Sequence, residues 1–285
     1  MVKFGPSGNS KIFYDAGHKS SIEAPSFLKK IGLTCYEYSF GRGFTIKSET
    51  AQKLGEEAEK NGILVSVHAP YYINLSNPNP ETVEKNASYI LKSLDYLKLF
   101  KGKKCVVHSG SQTNQTREVA LDNLYKQLDI ILSKYYLGGY DDVYICPETM
   151  GKSQQIGSVD EILDICSKDK CLIPTFDFGH INAVTNGSLK GIDDYRKIID
   201  KCFDKLGEFK TKNMHIHFSK IEYTNKGEVK HLTLDDTVYG PEFEPLAKLI
   251  DEYKLEPTII SESREKMMED ALKLKEIYES VKNNG

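Results

Sequence analysis

The stretch Cys105-Val-Val-His108 is a short apolar run that ends on a histidine, and this pattern recurs along the chain. Five other short runs also end on residue types that bind metals: Val65-Ser-Val-His68, Val143-Tyr-Ile-Cys-Pro-Glu148, Leu172 to Asp177, Met214-His215-Ile-His217 and Ile259-Ile-Ser-Glu262. Intervals long enough for a helix separate these runs. In a barrel of parallel strands the C-terminal strand ends open onto one face, so these side chains would converge there.

Short strand-like runs alternate with amphipathic stretches over the whole sequence, and this alternation predicts a closed (β/α)8 barrel. The strand-like runs are residues 2–4, 34–38, 63–67, 104–108, 143–148, 172–177, 213–218 and 258–262. An open doubly wound sheet is the alternative, but it would need a glycine-rich phosphate turn after an early strand, and no such G-x-G-x-x-G occurs. We therefore predict an α/β protein with one TIM barrel domain over residues 1–285.

The stretches between these runs carry helix signals. The clearest helix begins at Asn79-Pro80, a capping residue followed by proline, and its apolar residues follow a 3.6-residue period. Ser158 and Glu161 have the spacing of a capping box at the start of another helix. The remaining predicted helices carry Ala120, Leu124, Leu128 and Ile131, or span residues 192–206, 243–253 and 266–281, and a less regular one contains Ile22, Phe27, Leu28 and Ile31.

Composition limits the class of protein. The 285 residues are 39% hydrophobic, which is enough for a core, and no run approaches the roughly 18 apolar residues of a membrane helix. Residues 1–8 lack the apolar stretch of a signal peptide, so we expect a cytoplasmic, soluble monomer. The six cysteines include no C-x-x-C pair and are expected to be reduced core residues. A net charge of −3 does not indicate general nucleic-acid binding, although a local positive groove is compatible with it.

Histidine and carboxylate side chains dominate the predicted barrel face. Five of the seven histidines lie at strand ends or just beyond them, and His231 lies in a long loop, residues 219–239, on the same face. His18 lies in an early polar loop, and we interpret it as a surface residue. Imidazole nitrogens and carboxylate oxygens are the usual ligands of catalytic Zn²⁺ and also suit Mn²⁺ or Fe²⁺. A site with several such ions favours displacement at phosphorus.

His215 and His217 are two residues apart on one strand, so their side chains face the same side of the sheet. If His215 points into the site, His217 either joins it or lies one layer deeper in the barrel.

Six segments of the chain resemble, in order, those of the endonuclease IV family within the xylose isomerase-like barrels. They are Val67-His-Ala-Pro-Tyr-Tyr-Ile-Asn-Leu75, Val106-Val-His-Ser-Gly-Ser111, Pro147-Glu-Thr-Met-Gly151, Asp177-Phe-Gly-His180, Met214-His215 and Ser261-Glu262. The resemblance covers the chain from about residue 63 to the last helix. The family consists of metal-dependent apurinic/apyrimidinic endonucleases.

The resemblance implies a centre of up to three zinc ions. It implies that His68 and His108 hold one ion, that Glu148 bridges this ion to a second, and that Asp177, His215 and Glu262 complete the second site. His180 and His231 would hold the third ion. The implied reaction is hydrolysis of the DNA backbone 5′ to an abasic nucleotide, with Glu148 and Glu262 as catalytic residues, and the implied partner is DNA that contains abasic sites.

Two departures from the family pattern affect these expectations. The family holds its third ion with an Asp-x-His pair, whereas here Val229 stands two residues before His231. Glu228 would replace the aspartate if the loop shifts by one residue, or His217 would fill the position, so the third site is predicted to be altered or empty.

The second departure concerns contacts with DNA. The loop of residues 38–44 is shorter and less polar than the DNA-penetrating loop of the family. Arg42 is its candidate for entering the duplex, while Tyr71 and Tyr72 occupy positions where the family places DNA-contacting side chains.

Three functions are compatible with the sequence. The leading hypothesis is a metal-dependent phosphodiesterase of DNA base excision repair. The second is a sugar or sugar phosphate isomerase or epimerase on the same barrel, a chemistry that needs one or two ions held mainly by carboxylates and a paired acid and base. The third is a metal-containing homologue that binds nucleic acid without cleaving it. The histidine-rich ligand set favours the first, and the shortened loop favours the second. Loss of the third ion would favour the third.

Overall fold

Parallel strands form the wall of a barrel in the computed structural model, which describes residues 1–41 and 43–284, with the backbone alone for residue 284. The barrel strands are β1 (Lys3–Pro6), β2 (Cys35–Ser39), β3 (Leu64–His68), β4 (Lys104–Val107), β5 (Tyr144–Pro147), β6 (Thr175–Asp177), β7 (His215–Phe218) and β10 (Thr258–Ser261). Each overlaps a strand-like run of the sequence. Arg42, the candidate for entering DNA, lies outside the described residues.

Hydrogen bonds close the strands into a ring. Two parallel sheets, in the orders β2-β3-β4-β5 and β1-β10-β7-β6, form its halves. At one seam, a parallel bridge joins Glu148 beyond β5 to Thr175 of β6. At the other seam, the backbone N–H of Thr34 donates to the carbonyl oxygen of Phe4 at 2.9 Å. The predicted TIM barrel is therefore confirmed.

Helices follow the strands and cover the outside of the barrel. They are α1 (Lys11–Asp15), α2 (Ala24–Ile31), α3 (Ser48–Asn61), α4 (Pro80–Leu99), α5 (Arg117–Leu137), α6 (Val159–Cys166), α7 (Phe178–Val184), α8 (Ile192–Lys212), α9 (Glu244–Glu252) and α10 (Met267–Asn284). The Asn79 side chain caps α4, and Ser158 and Glu161 form the predicted capping box of α6. Helix α3 was not predicted, because Leu54 is the one large apolar residue on its buried face, beside Ala51, Gly55 and Ala58.

The apolar core lies between the barrel wall and the helices, where side chains such as Leu94, Leu128 and Ile250 are buried. The inside of the barrel differs, because Glu37, Lys104 and other polar side chains are buried there. All six cysteines are buried and unpaired, as expected from their scatter in the sequence. Within the described ranges, none of the helices is both long and apolar enough to cross a membrane.

The long segment after β7, expected as a loop, contains an antiparallel hairpin of β8 (Lys220–Thr224) and β9 (Gly227–Leu232). Glu222 pairs with Lys230 and Tyr223 pairs with Glu228, so Val229 has no partner and forms a β-bulge. In a regular strand, residues three apart face opposite sides. The extra residue of the bulge places Glu228 and His231 on the same side, which faces the C-terminal end of the barrel.

A substitution at Gly5 tests the seam between β1 and β2. A Cβ atom at this position would lie 1.9 Å from the carbonyl oxygen of Cys35. We expect Gly5→Ala to lower the free energy of unfolding by about 3 kcal/mol or more, because the backbone of β2 must move to make room. Urea denaturation measures this change. The control is Gly191→Ala, where a Cβ meets nothing within 4 Å and little change is expected. Equal stability of the Gly5 variant and the wild type would contradict this account of the seam.

Candidate metal centre

The first group of candidate ligands comprises His68 at the end of β3, His108 just beyond β4 and Glu148 just beyond β5. The Nε2 atoms of His68 and His108 lie 3.3 Å and 3.1 Å from Oε2 of Glu148. Since parallel strands in neighbouring register end at the same level, the sequence positions of these residues bring the three side chains together.

The second group comprises Glu148 again, with Asp177, His217 and Glu262. Nδ1 of His217 lies 2.9 Å from Oε1 of Glu148 and 3.6 Å from Oε1 of Glu262. Glu148 therefore presents one oxygen to the first group and the other oxygen to the second. Its side chain is 1% exposed, which leaves these imidazoles as its main partners.

The third group comprises Asp177, His180 and His231, so Asp177 belongs to two groups. Asp177 is the N-cap of α7, and its Oδ1 accepts the backbone N–H of His180 at 2.7 Å. This cap turns the chain so that His180, three residues later, lies beside it. Glu228 from the hairpin lies 3.6 Å from Nε2 of His180 and 3.7 Å from Nε2 of His231. The bulge at Val229 thus places the Glu228 carboxylate beside both histidines, which is one of the alternatives that the sequence left open.

Backbone carbonyl groups fix the orientation of three histidine rings. Nδ1 of His68 donates to the oxygen of Ala69 at 2.7 Å, and Nδ1 of His180 donates to the oxygen of Thr149 at 2.9 Å. Nδ1 of His108 lies 3.2 Å from the oxygen of Tyr71. A carbonyl oxygen only accepts hydrogen bonds, so each ring carries a proton on Nδ1, and Nε2 faces the cluster. Metal-binding histidines are commonly held in this way.

The cluster is strongly coupled electrostatically. Burial by itself lowers the pKa of His68, but the carboxylates of Glu148, Glu37 and Glu262 outweigh it and raise this pKa to about 9. Burial also lowers the pKa of His180, but Asp177 and nearby carboxylates outweigh this effect and raise the pKa to about 9. Burial opposes the ionised form of Glu148, yet the neighbouring histidines hold its pKa well below the ordinary value. In the metal-free protein the imidazolium ions therefore act as counter-ions for the carboxylates.

The donor set fits divalent metal ions. Oδ2 of Asp177 is buried and makes no hydrogen bond, although Nδ1 of His180 lies 3.4 Å away. A buried carboxylate oxygen without a hydrogen-bond donor is suited to bind a cation. Histidine nitrogens and carboxylate oxygens suit Zn²⁺, Mn²⁺ or Fe²⁺. The residues that would hold the ions are His68, His108, Glu148, Asp177, His180, His217, Glu228, His231 and Glu262.

One expected placement is corrected. The resemblance implied His215 as the partner of Asp177 and Glu262, but the structure places His217 beside these residues and His215 one layer deeper. Both side chains point into the barrel because they are two residues apart on β7. His217 lies closer to the C-terminal end of the strand, and this end is the one that opens onto the cluster.

Sequence reasoning missed Glu37, which is fully buried on β2 and forms a group with His215 and His217. An ionisable residue inside an otherwise apolar strand was the available signal.

His18, expected at the surface, is partly exposed and pairs with Glu23 at 3.1 Å. Tyr71 and Tyr72 are exposed beside the cluster, at 57% and 43%, and their rings contact each other.

A closed parallel barrel with histidines and carboxylates at its C-terminal strand ends is the architecture of a metal-dependent TIM barrel enzyme. The model of the xylose isomerase-like TIM barrel family matches residues 25–279. A probable endonuclease 4 of Mycoplasmopsis synoviae is 30% identical over 237 residues, which is 80% of this chain and 75% of that protein. The chain therefore belongs to the endonuclease IV family within the xylose isomerase-like TIM barrels.

Other relatives show how broad this likeness is. An uncharacterized protein of Methanocaldococcus jannaschii is 34% identical over 275 residues, covering 95% of this chain and 97% of that protein. The structure of endonuclease IV from Thermus thermophilus superimposes with a TM-score of 0.65 at 18% identity, covering 93% and 95% of the two chains. The structure of a D-tagatose 3-epimerase-like protein superimposes with a TM-score of 0.73 at 20% identity, covering 99% of each chain. At these identities, the structural likeness establishes the fold.

The raised pKa values of His68 and His180 predict how the metal-free protein responds to pH. Protonation of these groups stabilises the folded state fully below the ordinary pKa of 6.5, and this stabilisation is lost as the pH rises through about 9. We expect the chelator-treated protein to lose stability on the order of a few kcal/mol between pH 6.5 and 9.5 in urea denaturation. Over the same range zinc affinity should rise, since fewer protons must be displaced.

A double variant, His68→Gln with His180→Gln, is the control for this prediction. It should lose the part of the pH dependence that these two groups contribute, while His217, whose pKa is also raised against the effect of burial by neighbouring carboxylates, keeps its own contribution. A wild-type protein whose metal-free stability stays constant or increases over this range would contradict the electrostatic description of the cluster.

Proposed function

We propose that the protein is a metal-dependent phosphodiesterase that hydrolyses the DNA backbone 5′ to abasic sites, with two or three ions, most simply Zn²⁺. The observation that carries the proposal is the shared position of Glu148. Its two carboxylate oxygens face two ligand groups, His68 with His108 on one side and His217 on the other. A carboxylate shared in this way suits a site in which neighbouring ions act on one phosphate group.

When bound, such ions would activate water for attack on phosphorus and neutralise charge on the phosphate oxygens. The protein supplies rigidity, because backbone carbonyls hold the His68 and His180 rings and the buried Glu148 joins the first two ligand groups. Glu262 has a different role in this proposal. Its side chain is 20% exposed at the open end of the barrel, so its carboxylate can reach substrate and accept the proton of the attacking water.

Contacts with DNA are assigned to the loop after β3. Tyr71 and Tyr72 are exposed aromatic side chains, and the carbonyl oxygen of Tyr71 is the partner of His108. This link places the aromatic pair next to the ligand cluster. An exposed ring in such a position stacks on an unpaired base or on the sugar beside a lesion. An abasic nucleotide lowers the cost of extrusion, because it has neither base pairing nor stacking to lose.

A sugar isomerase or epimerase is the second candidate function. The group of Glu148, Asp177, His217 and Glu262 contains three carboxylates and one histidine, which is the kind of set that holds a single ion for proton transfer next to a carbonyl. The histidines on either side of this group distinguish the two candidate functions. A reaction at one ion does not require His68, His108, His180 and His231, whereas a multi-ion phosphodiesterase uses them all.

Glu262→Gln tests the proposed hydrolysis. The wild-type protein, with its metal content measured by elemental analysis, should contain two or three ions and cut a duplex with one synthetic abasic site. We expect Glu262→Gln to reduce incision by at least about 100-fold, because the neutral amide can neither take a proton nor balance cationic charge. The matched control is Glu118→Gln, an exposed first-turn residue of α5, which should cut at the wild-type rate.

Two outcomes decide between the candidate functions. Fully metallated wild-type protein that leaves the abasic duplex intact but isomerises a keto sugar would replace the phosphodiesterase with the second candidate. Binding to the abasic duplex with steep salt dependence, but without incision or sugar turnover, would indicate a homologue that binds without cutting.

Tyr71→Ala tests the assignment of the aromatic pair to DNA. Loss of one stacking contact worth about 1–3 kcal/mol predicts roughly 5-fold to 150-fold weaker binding of the abasic duplex. Fluorescence anisotropy at fixed ionic strength measures this change. The control is Tyr136→Ala, an exposed tyrosine on α5, which should leave DNA binding unchanged. Equal losses for the two variants would show that the effect is not specific to the loop after β3.

A further inference from the structure

Glu37 is a fully buried carboxylate inside the barrel, in the layer directly beneath the ligand cluster. It lies on β2, whose strand end supplies none of the candidate ligands. A charged side chain in this position is costly, since taking an ion out of water carries a penalty of several kcal/mol unless partners compensate for it. An apolar residue would fill this space without that penalty, so the contacts of Glu37 can indicate what the carboxylate does.

Groups that can donate a hydrogen bond surround the Glu37 carboxylate. The hydroxyl of Ser66 donates to Oε2 at 2.7 Å, and Nε2 of His215 lies 2.9 Å from the same oxygen. Nε2 of His217 lies 2.9 Å from the other oxygen, Oε1, although the two atoms are not aligned for a hydrogen bond. A carboxyl group that faces only donors is held in its ionised form.

The other nitrogen of His217 points to the cluster. Nδ1 lies 2.9 Å from Oε1 of Glu148 and 3.6 Å from Oε1 of Glu262. His217 therefore spans two layers of the barrel, with one ring nitrogen toward Glu37 and the other toward the second ligand group. It differs from His68, His108 and His180, whose outer nitrogens face backbone carbonyl groups.

We propose that Glu37 is a positioning residue that acts through His217. Its carboxylate accepts the proton on Nε2 and leaves the lone pair of Nδ1 for a metal ion held with Glu148, Asp177 and Glu262. A carboxylate in this role fixes the ring orientation and the tautomer of a ligand histidine and raises its basicity. The proposal rests on the metal site of the proposed function, but not on the choice of DNA as substrate.

Ser66 and His215 have a supporting role. They bind Oε2, which keeps Oε1 directed at His217. Glu37 is thereby held from one side and remains available to His217 on the other.

The test compares zinc affinity, measured by competition with a chromogenic chelator, in the wild type and in Glu37→Gln. The amide keeps the size of the side chain but lacks the negative charge. The affinity for the most weakly bound zinc ion should therefore fall about 10-fold to 100-fold. The matched control is Glu118→Gln, which removes the same charge from the exposed first turn of α5 and should leave zinc affinity unchanged.

Two further measurements separate positioning from a merely structural role. In zinc-loaded protein, the ¹⁵N shifts of the His217 ring should report a proton on Nε2 in the wild type and a weakened hydrogen bond there in Glu37→Gln. In a His217→Ala background, Glu37→Gln should cause no further loss of zinc affinity, since the effect passes through that ring. If Glu37→Gln does not fold, Glu37→Asp keeps the charge but draws the carboxylate back, and it should also weaken zinc binding.

The outcomes distinguish this proposal from the proposed function. Wild-type zinc affinity in a folded Glu37→Gln or Glu37→Asp variant would overturn the positioning role and leave the phosphodiesterase intact. Zinc binding that depends on Glu37, in a protein that does not cut abasic DNA, would overturn the phosphodiesterase alone. A wild-type protein that takes up no zinc would overturn both.

Discussion

The sharing of the Glu148 carboxylate between two sets of imidazoles is the interaction on which the site depends. Oε2 faces His68 and His108, while Oε1 faces His217. This arrangement requires β3, β4, β5 and β7 to end at one level, which a closed parallel barrel provides. It also explains the unusual pKa values, since a buried carboxylate raises the pKa of nearby imidazoles while they lower its own. Metal ions would take over the balancing charge that protons supply in their absence.

The inside of this barrel serves the site more than it serves stability. The apolar core between wall and helices is continuous and contains large buried side chains from every side of the barrel. Within the ring, by contrast, Glu37, His215 and Lys104 are buried, as are the candidate ligands His68 and His217. Lys104 donates to the carbonyl oxygen of Asn213 at 2.6 Å, and burial lowers its pKa to about 8. Such groups are retained where they hold other groups in place, which is the role proposed for Glu37.

The hairpin after β7 brings a carboxylate to the third ligand group by means of a β-bulge. Val229 stands two residues before His231, and the bulge at Val229 turns Glu228 toward His180 and His231. The oxygens of Glu228 lie 3.6 Å and 3.7 Å from these imidazole nitrogens, and an ion between them would draw the groups into its own coordination distances. Spacing in the sequence does not predict that Glu228 and His231 face the same side, because the strand period alone places residues three apart on opposite faces.

The sequence by itself determined the barrel, because alternation of apolar runs with amphipathic helices leaves few architectures, and it placed His68, His108, Glu148 and Glu262 at strand ends that must share one face. Helix α3 was not predicted because its buried face carries small residues and a single leucine, so its apolar content is low. Only the tertiary structure decided which of His215 and His217 reaches the cluster, since depth along the barrel axis is set by strand register and not by spacing. It also decided the roles of Glu37 and Glu228. The partners of these two residues come from distant strands or depend on a bulge, and local sequence carries neither kind of information.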